Sequence, residues 1–224
     1  MTILSADNLT KSFGATVALH GASMSLEPGE ILAVMGPSGS GKSTLLHCLA
    51  GIFAPDSGTV TFDARRLDTM SDRERTRLRR TDFGFVFQFG ELVPELTAVD
   101  NVALPLLLAG MRRGTAYARA RSWFPRLELA GLEDRRTGEL SGGQAQRVAV
   151  GRALVTGPKV LFADEPTGAL DSLTGEKVMD LMVDTVRAEG TAVILVTHDA
   201  RVASHADRQI TVRDGQVIAS GVQV

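Results

Sequence analysis

The chain has 224 residues, 44% of them hydrophobic and 22% charged, with a formal net charge of -2. A chain of this length makes one large domain, or one domain with an inserted subdomain, and can bury a substantial core. The near-neutral balance argues against a nucleic-acid partner bound through bulk electrostatics.

Met1 to Asp7 lack a basic region followed by an apolar core, so no secretory leader is expected. Residues 3 to 35 read as β structure: Ile3 to Phe13, Val17 to Leu26, a turn at Glu27-Pro28-Gly29, then the apolar run Ile31 to Met35. Phe13 stands in a polar neighbourhood before Gly14, where it can stack on a base or simply pack. The apolar run leads into Gly36-Pro37-Ser38-Gly39-Ser40-Gly41-Lys42-Ser43, which opens a helical pattern with Leu45, Leu46 and Leu49 on one face. Strand, glycine-rich loop and helix are the context a phosphate-binding P-loop requires. Glycines let successive N–H groups and the positive helix end face a polyanion. In that motif Lys42 reaches the β- and γ-phosphates and the Ser43 hydroxyl ligates Mg²⁺. Cys48, the one cysteine, cannot form an internal disulfide and reads as a small buried hydrophobe in a reduced, cytosolic setting.

Pro55 to Gly58 is a turn and Thr59 to Phe62 another strand. Arg65 to Arg80 interleaves arginines with Asp68, Asp72 and Glu74 and is expected to be a solvated helix. Phe83 to Phe87 is a short buried strand that ends at the amide of Gln88. From Thr97 to Glu128 the period becomes helical, through Val99, Val102, Ala103 and Leu106 and then Tyr117 to Leu127, as expected of an inserted helical subdomain. Its longest apolar run, Val102 to Met111, is interrupted by Pro105 and falls short of the roughly 20 residues that span a bilayer.

Ser141, three residues before Gln144, predicts a capping box opening a helix that runs to about Val155. Gly142 and Gly143 each lower helix propensity by about 1 kcal/mol relative to alanine, which makes sense if their N–H groups approach an anion. Val160 to Ala163 reads as a central parallel strand ending in Asp164-Glu165-Pro166. Carboxylates at that end sit where open α/β sheets bind ligands, with Asp164 on Mg²⁺ beside Ser43 and Glu165 orienting or deprotonating water. Gly168 to Asp171 leads into a helix with Val178, Leu181, Met182 and Val186 on one face, closed by Gly190. Ala192 to Val196 is a further strand, ending in Thr197-His198-Asp199. A lone histidine there is commonly structural, but its place in the strand-end layer also suits a γ-phosphate contact. Arg208 to Gly221 alternates around Asp214-Gly215 as a hairpin.

Taken together these motifs resemble the ATP-binding subunit of ABC transporters over essentially the whole chain. The Walker A loop is Gly36 to Ser43, the Q-loop glutamine Gln88, the signature Leu140 to Gln144, Walker B Val160 to Glu165, the D-loop Ala169 to Asp171 and the switch histidine His198. The resemblance implies an α/β fold: a P-loop NTPase core of mostly parallel sheet flanked by helices, an N-terminal antiparallel β subdomain and an inserted α-helical subdomain. Residues 1–90 and 157–224 would form the core with its β subdomain, and about 91–156 the helical one.

The resemblance further implies Mg²⁺-dependent ATP hydrolysis in a composite site. Phe13, Gly36, Pro37, Ser38, Gly39, Ser40, Gly41, Lys42, Ser43 and Thr44 would hold ATP in one subunit. Ser141, Gly142, Gly143, Gln144 and Asp171 would close over it from a second copy or a related subunit. Ser43, Gln88 and Asp164 would hold Mg²⁺, with Glu165, His198, Gln88 and Lys42 serving catalysis. Phe85 to Gln88, Leu92 to Leu106 and Asp164 to Asp171 look most like the macrolide-export, lipoprotein-release, antimicrobial-peptide-detoxification and cell-division group. Its members work with an integral-membrane permease, which would hold this chain at the cytoplasmic face of the cell membrane. Four departures stand out: Phe13 in place of tyrosine, Gly90 where a larger side chain is common, and Ala145 and Gly151 in the signature helix.

Overall fold

The computed structural model describes residues 2–219. The chain opens with strands β1 (Leu4–Phe13), β2 (Thr16–Leu26) and β3 (Ile31–Met35), followed by helix α1 (Lys42–Leu49). Next come β4 (Ser57–Phe62), β5 (Arg65–Arg66), α2 (Asp72–Thr81) and β6 (Phe83–Phe87). A helical stretch follows, with α3 (Ala98–Leu108), α4 (Arg113–Trp123) and α5 (Gly142–Leu154). The remainder is β7 (Val160–Asp164), α6 (Ser172–Glu189), β8 (Ala192–Val196), α7 (Ala200–Ala203), β9 (Arg208–Arg213) and β10 (Gln216–Ala219). Ser220 and Gly221, at the end of the expected hairpin segment, lie outside the described residues.

Two compact units emerge, one from residues up to Arg79 together with those from Ala192 onward, the other Arg80–Thr191. In the first, β1 pairs antiparallel with β2 and β4, with Leu4 opposite both Leu26 and Phe62. All three of those side chains are fully buried, so register and core are set by the same residues. A second layer of the same unit holds β3 parallel to β8 and β9, with β10 returning antiparallel to β9. The continuous apolar runs of β3 and β8 fit strands covered on both faces. Leu45, Leu46, Cys48 and Leu49 make the buried side of α1. Burial raises the Cys48 thiol to about 11.

Arg65–Arg80 is not one helix. Asp63 and Ala64, both with positive φ (50° and 61°), form a two-residue turn that pairs Arg65 with Phe62. Leu67 is then drawn into the core, 1% exposed, with its N–H on the Val60 carbonyl. The helix waits until Asp72, where Ser71 and Glu74 exchange hydrogen bonds. Two positive φ angles make a type I′ geometry that favours glycine at the second position. Ala64→Gly is therefore expected to raise stability by roughly 0.5–1 kcal/mol, relief of left-handed strain outweighing the added freedom of the unfolded chain. A higher urea midpoint at unchanged m-value checks it.

In the second unit β6 and β7 pair in parallel, from Phe83 opposite Val160 to Phe87 opposite Asp164. Phe162 packs on Phe83 and Phe85 at centroid distances of 5.2 and 5.4 Å. Thr97 and Asp100 cap α3 reciprocally. Asn101, fully buried on that helix, accepts from the Val93 N–H and donates to the carbonyls of Val93 and Thr97. It thereby fixes the segment entering the helix. Tyr117 lies within α4 as the helical period requires, but α4 ends at Trp123, short of the expected Leu127. Pro125, two residues on, has no N–H to continue the helical ladder, and the chain there turns back through Leu129 N–H to the Phe124 carbonyl. On α6 the buried stripe is Val178, Met179, Met182 and Val186; Leu181 is only half-buried.

Candidate nucleotide site

Within the first unit, β3 and β8 run parallel with Val34 opposite Val196. The loop Gly36 to Gly41 and His198 therefore leave the carboxyl ends of adjacent strands. Thr197 N–H reaches the Val34 carbonyl across that end (3.2 Å), and the exposed His198 follows it. Helix α1 starts from Gly41 in the left-handed region (φ 104°), with no side chain capping its first turn. Its amides are left for an outside acceptor.

Two glycines of the loop have no room for a side chain. A methyl at Gly36 would lie 2.2 Å from the Val212 carbonyl oxygen, and one at Gly41 2.4 Å from that of Ala18. The Lys42 ammonium donates to the carbonyls of Gly36 and Pro37, both at 2.8 Å. Ser40 is 5% exposed, and its Oγ has no hydrogen-bond partner among the described residues. A bare cradle, an orphaned hydroxyl and a lysine held only by carbonyls all fit a phosphate chain. Ser38, Ser43 and Thr44 border the same loop with exposed or half-buried side chains. Phe13, 46% exposed, meets Phe53 edge to face at 5.4 Å, leaving part of its surface to solvent.

In the second unit the strand ends are again in register, since Phe87 faces Asp164. Gln88 and Glu165 are thus the first residues beyond two neighbouring strands. Glu165 has φ 48°, a left-handed conformation uncommon for any residue with a Cβ, and its carbonyl accepts from the Gly168 N–H at 3.0 Å. The Gln88 side chain lies against that turn, with Nε2 2.9 Å from where a methyl on Gly168 would sit. Gln88 and Asp164 offer amide and carboxylate oxygens at these strand ends, and Ser43 of the first unit offers a hydroxyl; each is a hard donor of the kind Mg²⁺ takes.

Ser141 caps α5 as its spacing predicts: its hydroxyl accepts from the Gln144 N–H, and Gln144 Oε1 accepts from the Ser141 N–H. Asp171 caps α6 through the Thr174 N–H; the Thr174 hydroxyl first, and then that N–H, hold its carboxyl below the usual range. The two caps are neighbours. A methyl at Gly142 would meet Leu170 at 3.2 Å, and one at Gly143 would meet the Thr174 methyl at 2.4 Å. Gly143 is thus explained by close packing onto α6, a reason not visible in its spacing, whereas Gly142 is exposed. Gly151 is explained likewise, because Leu127 occupies the place of its missing methyl at 2.5 Å.

Sequence reasoning missed Gln146 and Arg152. Gln146 is 3% exposed and donates to the Phe87 carbonyl at 2.9 Å. Arg152 donates to the carbonyls of Gly90 and Glu91 at 2.6 and 2.7 Å. The only hint in the sequence was that both carry polar groups among the apolar residues of α5.

The ABC transporter family model matches residues 19–168. The lipoprotein-releasing system ATP-binding protein of Hyphomonas neptunium is 44% identical over 208 residues, covering 92% of this chain and 90% of that protein. A probable syringafactin export ATP-binding/permease protein of Pseudomonas syringae is 43% identical over 98% of this chain, which spans 34% of its length. Among solved structures, a dimeric ATP-binding cassette in a post-hydrolysis state, with ADP and phosphate bound, superposes with a TM-score of 0.88 at 39% identity. That match covers 98% of both chains.

Proposed function

Because the chain belongs to the ABC transporter ATPase family, we propose that it powers an export-type or mechanotransmitting permease by binding ATP, dimerising on it and hydrolysing it. The observation that carries this reading is the loop around Ser40: Gly36 and Gly41 leave no room for a methyl, the buried Ser40 hydroxyl has no partner among the described residues, and the Lys42 ammonium rests on two carbonyls. Export-type work is supported by the names of the relatives, one releasing lipoproteins and one exporting syringafactin.

In this reading Phe13 stacks on adenine. The amides of Gly36 to Thr44 wrap the phosphates, and Lys42 leaves its two carbonyls for the β- and γ-phosphate oxygens. Ser43, Gln88 and Asp164 hold Mg²⁺, which screens the phosphate charge when bound. Glu165 accepts the proton of the attacking water, and His198 donates to the γ-phosphate. The γ-phosphate of one subunit is sealed by Ser141, Gly142, Gly143 and Gln144 of the other, with Asp171 alongside. Its loss removes the acceptor that the Ser141 cap faces, and the dimer opens.

Among the described residues no helix is long and apolar enough to cross a membrane, so attachment would come through a permease. Tagging the chain in its native cell and purifying it gently from solubilised membranes tests this. Recovery of an integral-membrane permease with a large external domain is the expected result. Recovery from the soluble fraction alone would favour a permease-free ATPase, and an importer permease would reassign the direction of transport. Ser141→Arg probes the composite site: nucleotide affinity should hold within about threefold, while ATP-dependent dimerisation by light scattering is lost. The cap itself contributes only about 1 kcal/mol, so a folded variant is expected. Unchanged dimerisation would reject closure by the signature.

A further inference from the structure

We propose that Gln146 and Arg152 of α5 are positioning residues that hold Gln88 in place by fixing the backbone on both sides of it. The inference rests on the reading of Gln88 as a Mg²⁺ ligand.

Beyond Phe87 the chain leaves the sheet and turns sharply, with Gly90 at φ 67° and Glu91 at φ 45°. The Gly90 N–H returns to the Phe87 carbonyl at 3.0 Å. The carbonyls of Phe87, Gly90 and Glu91 each receive a side-chain donor from α5. Gln146 holds the residue before Gln88, whereas Arg152 holds the second and third residues after it. Phe89 itself is 76% exposed, so its own side chain contributes little packing to the turn. The donors on either side carry that task.

The fit is close. A methyl at Gly90 would lie 3.2 Å from Gln146 Oε1 and 3.5 Å from the Ala149 methyl, and the backbone there has φ 67°, a conformation that favours glycine. Burial lowers the Arg152 guanidinium's hold on its proton, and the Glu91 carboxylate opposes that effect. A partly buried cation held by two carbonyls is costly to misplace. Gln146 and Arg152 stand five and eleven residues from Ser141, about 8 and 16 Å along the helix axis at 1.5 Å per residue. The same rigid rod therefore carries the signature cap at one end and the clamp along its length. The amide so positioned rests on the Glu165–Gly168 turn.

Arg152→Met and Gln146→Leu remove the donors at similar volume; Arg152→Lys keeps one. In ATP-free protein, hydrogen exchange at the amides of residues 89–91 should rise about tenfold in Met and Leu variants, and less in the lysine variant. The Mg²⁺ concentration that half-saturates turnover should rise about fivefold, with KM for ATP at saturating Mg²⁺ within about twofold, as loss of a positioning contact predicts. In a Gln88→Ala background the same substitutions should add nothing. If Gln88→Ala leaves the Mg²⁺ dependence unchanged, the ligand role of Gln88 fails. If Gln88→Ala shifts it but Arg152→Met and Gln146→Leu do not, or their exchange matches wild type, the positioning role is overturned. Should Arg152→Met not fold, Gln146→Leu, which deletes one neutral bond, carries the test.

Discussion

Glu165→Gln is expected to lower ATP turnover by a factor of about 10²–10⁴ while ATP affinity stays within about threefold. Glutamine keeps the length of the side chain and its capacity to accept a hydrogen bond, but it cannot take a proton from water. Both residues bear the same left-handed strain at φ 48°, so the fold should be indifferent to the exchange. Phosphate release and equilibrium nucleotide binding separate the two effects. The variant should also accumulate as an ATP-bound dimer in size-exclusion chromatography, because the γ-phosphate that holds it closed is not consumed. Steady-state turnover near wild type would sink the assignment of Glu165 as general base.

Gly36→Ala should cost about 3 kcal/mol of stability or more and reduce ATP affinity by over about 100-fold. At φ 144° the backbone is in a region open to glycine, and the new methyl would meet a backbone carbonyl at 2.2 Å. A backbone oxygen of strand β9, where Val212 pairs antiparallel with Val217 of β10, cannot swing aside as a side-chain terminus can. Gly39→Ala, in the same loop, supplies the internal contrast. It too has positive φ (77°), but a methyl there meets nothing within 4 Å. Strain alone should then cost about 1 kcal/mol. Denaturant midpoints and nucleotide titrations on the pair distinguish steric exclusion from conformational strain. Equal losses in both variants would show that close approach to Val212 is unimportant.

Much of this architecture is written in local patterns. The runs Ile31–Met35, Val160–Ala163 and Ala192–Val196 are unbroken because their strands are buried on both faces, and each gives way at its carboxyl end to a residue of another kind, Gly36, Asp164 and Thr197. The Ser141–Gln144 cap is a four-residue motif and was equally readable. What escaped was determined at long range. The stretch from Arg65 looks helical by charge pattern, yet Leu67 is claimed by the core and by the Val60 carbonyl. Ser71-Asp72-Arg73-Glu74 did carry a capping signature that would have moved the helix start. On α6 the buried stripe takes Met179 where the helical period suggested Leu181, a difference set by what packs against the helix. Gln146 and Arg152 reach partners 59 to 62 residues away, and no local period announces such contacts. The glycine at 143 was legible as unusual but not as a packing requirement, since Thr174 meets it only in three dimensions.

The buried thiol of Cys48 has a practical corollary. With its pKa at about 11, only about one molecule in ten thousand carries a thiolate at neutral pH, and burial denies reagents access to it. The native chain is therefore silent toward maleimides. A cysteine introduced at exposed Phe89 would accept a fluorophore alone, without first replacing the native one and disturbing the helix behind the phosphate loop. Movement of the Gln88 turn could then be followed optically on an otherwise unmodified ATPase.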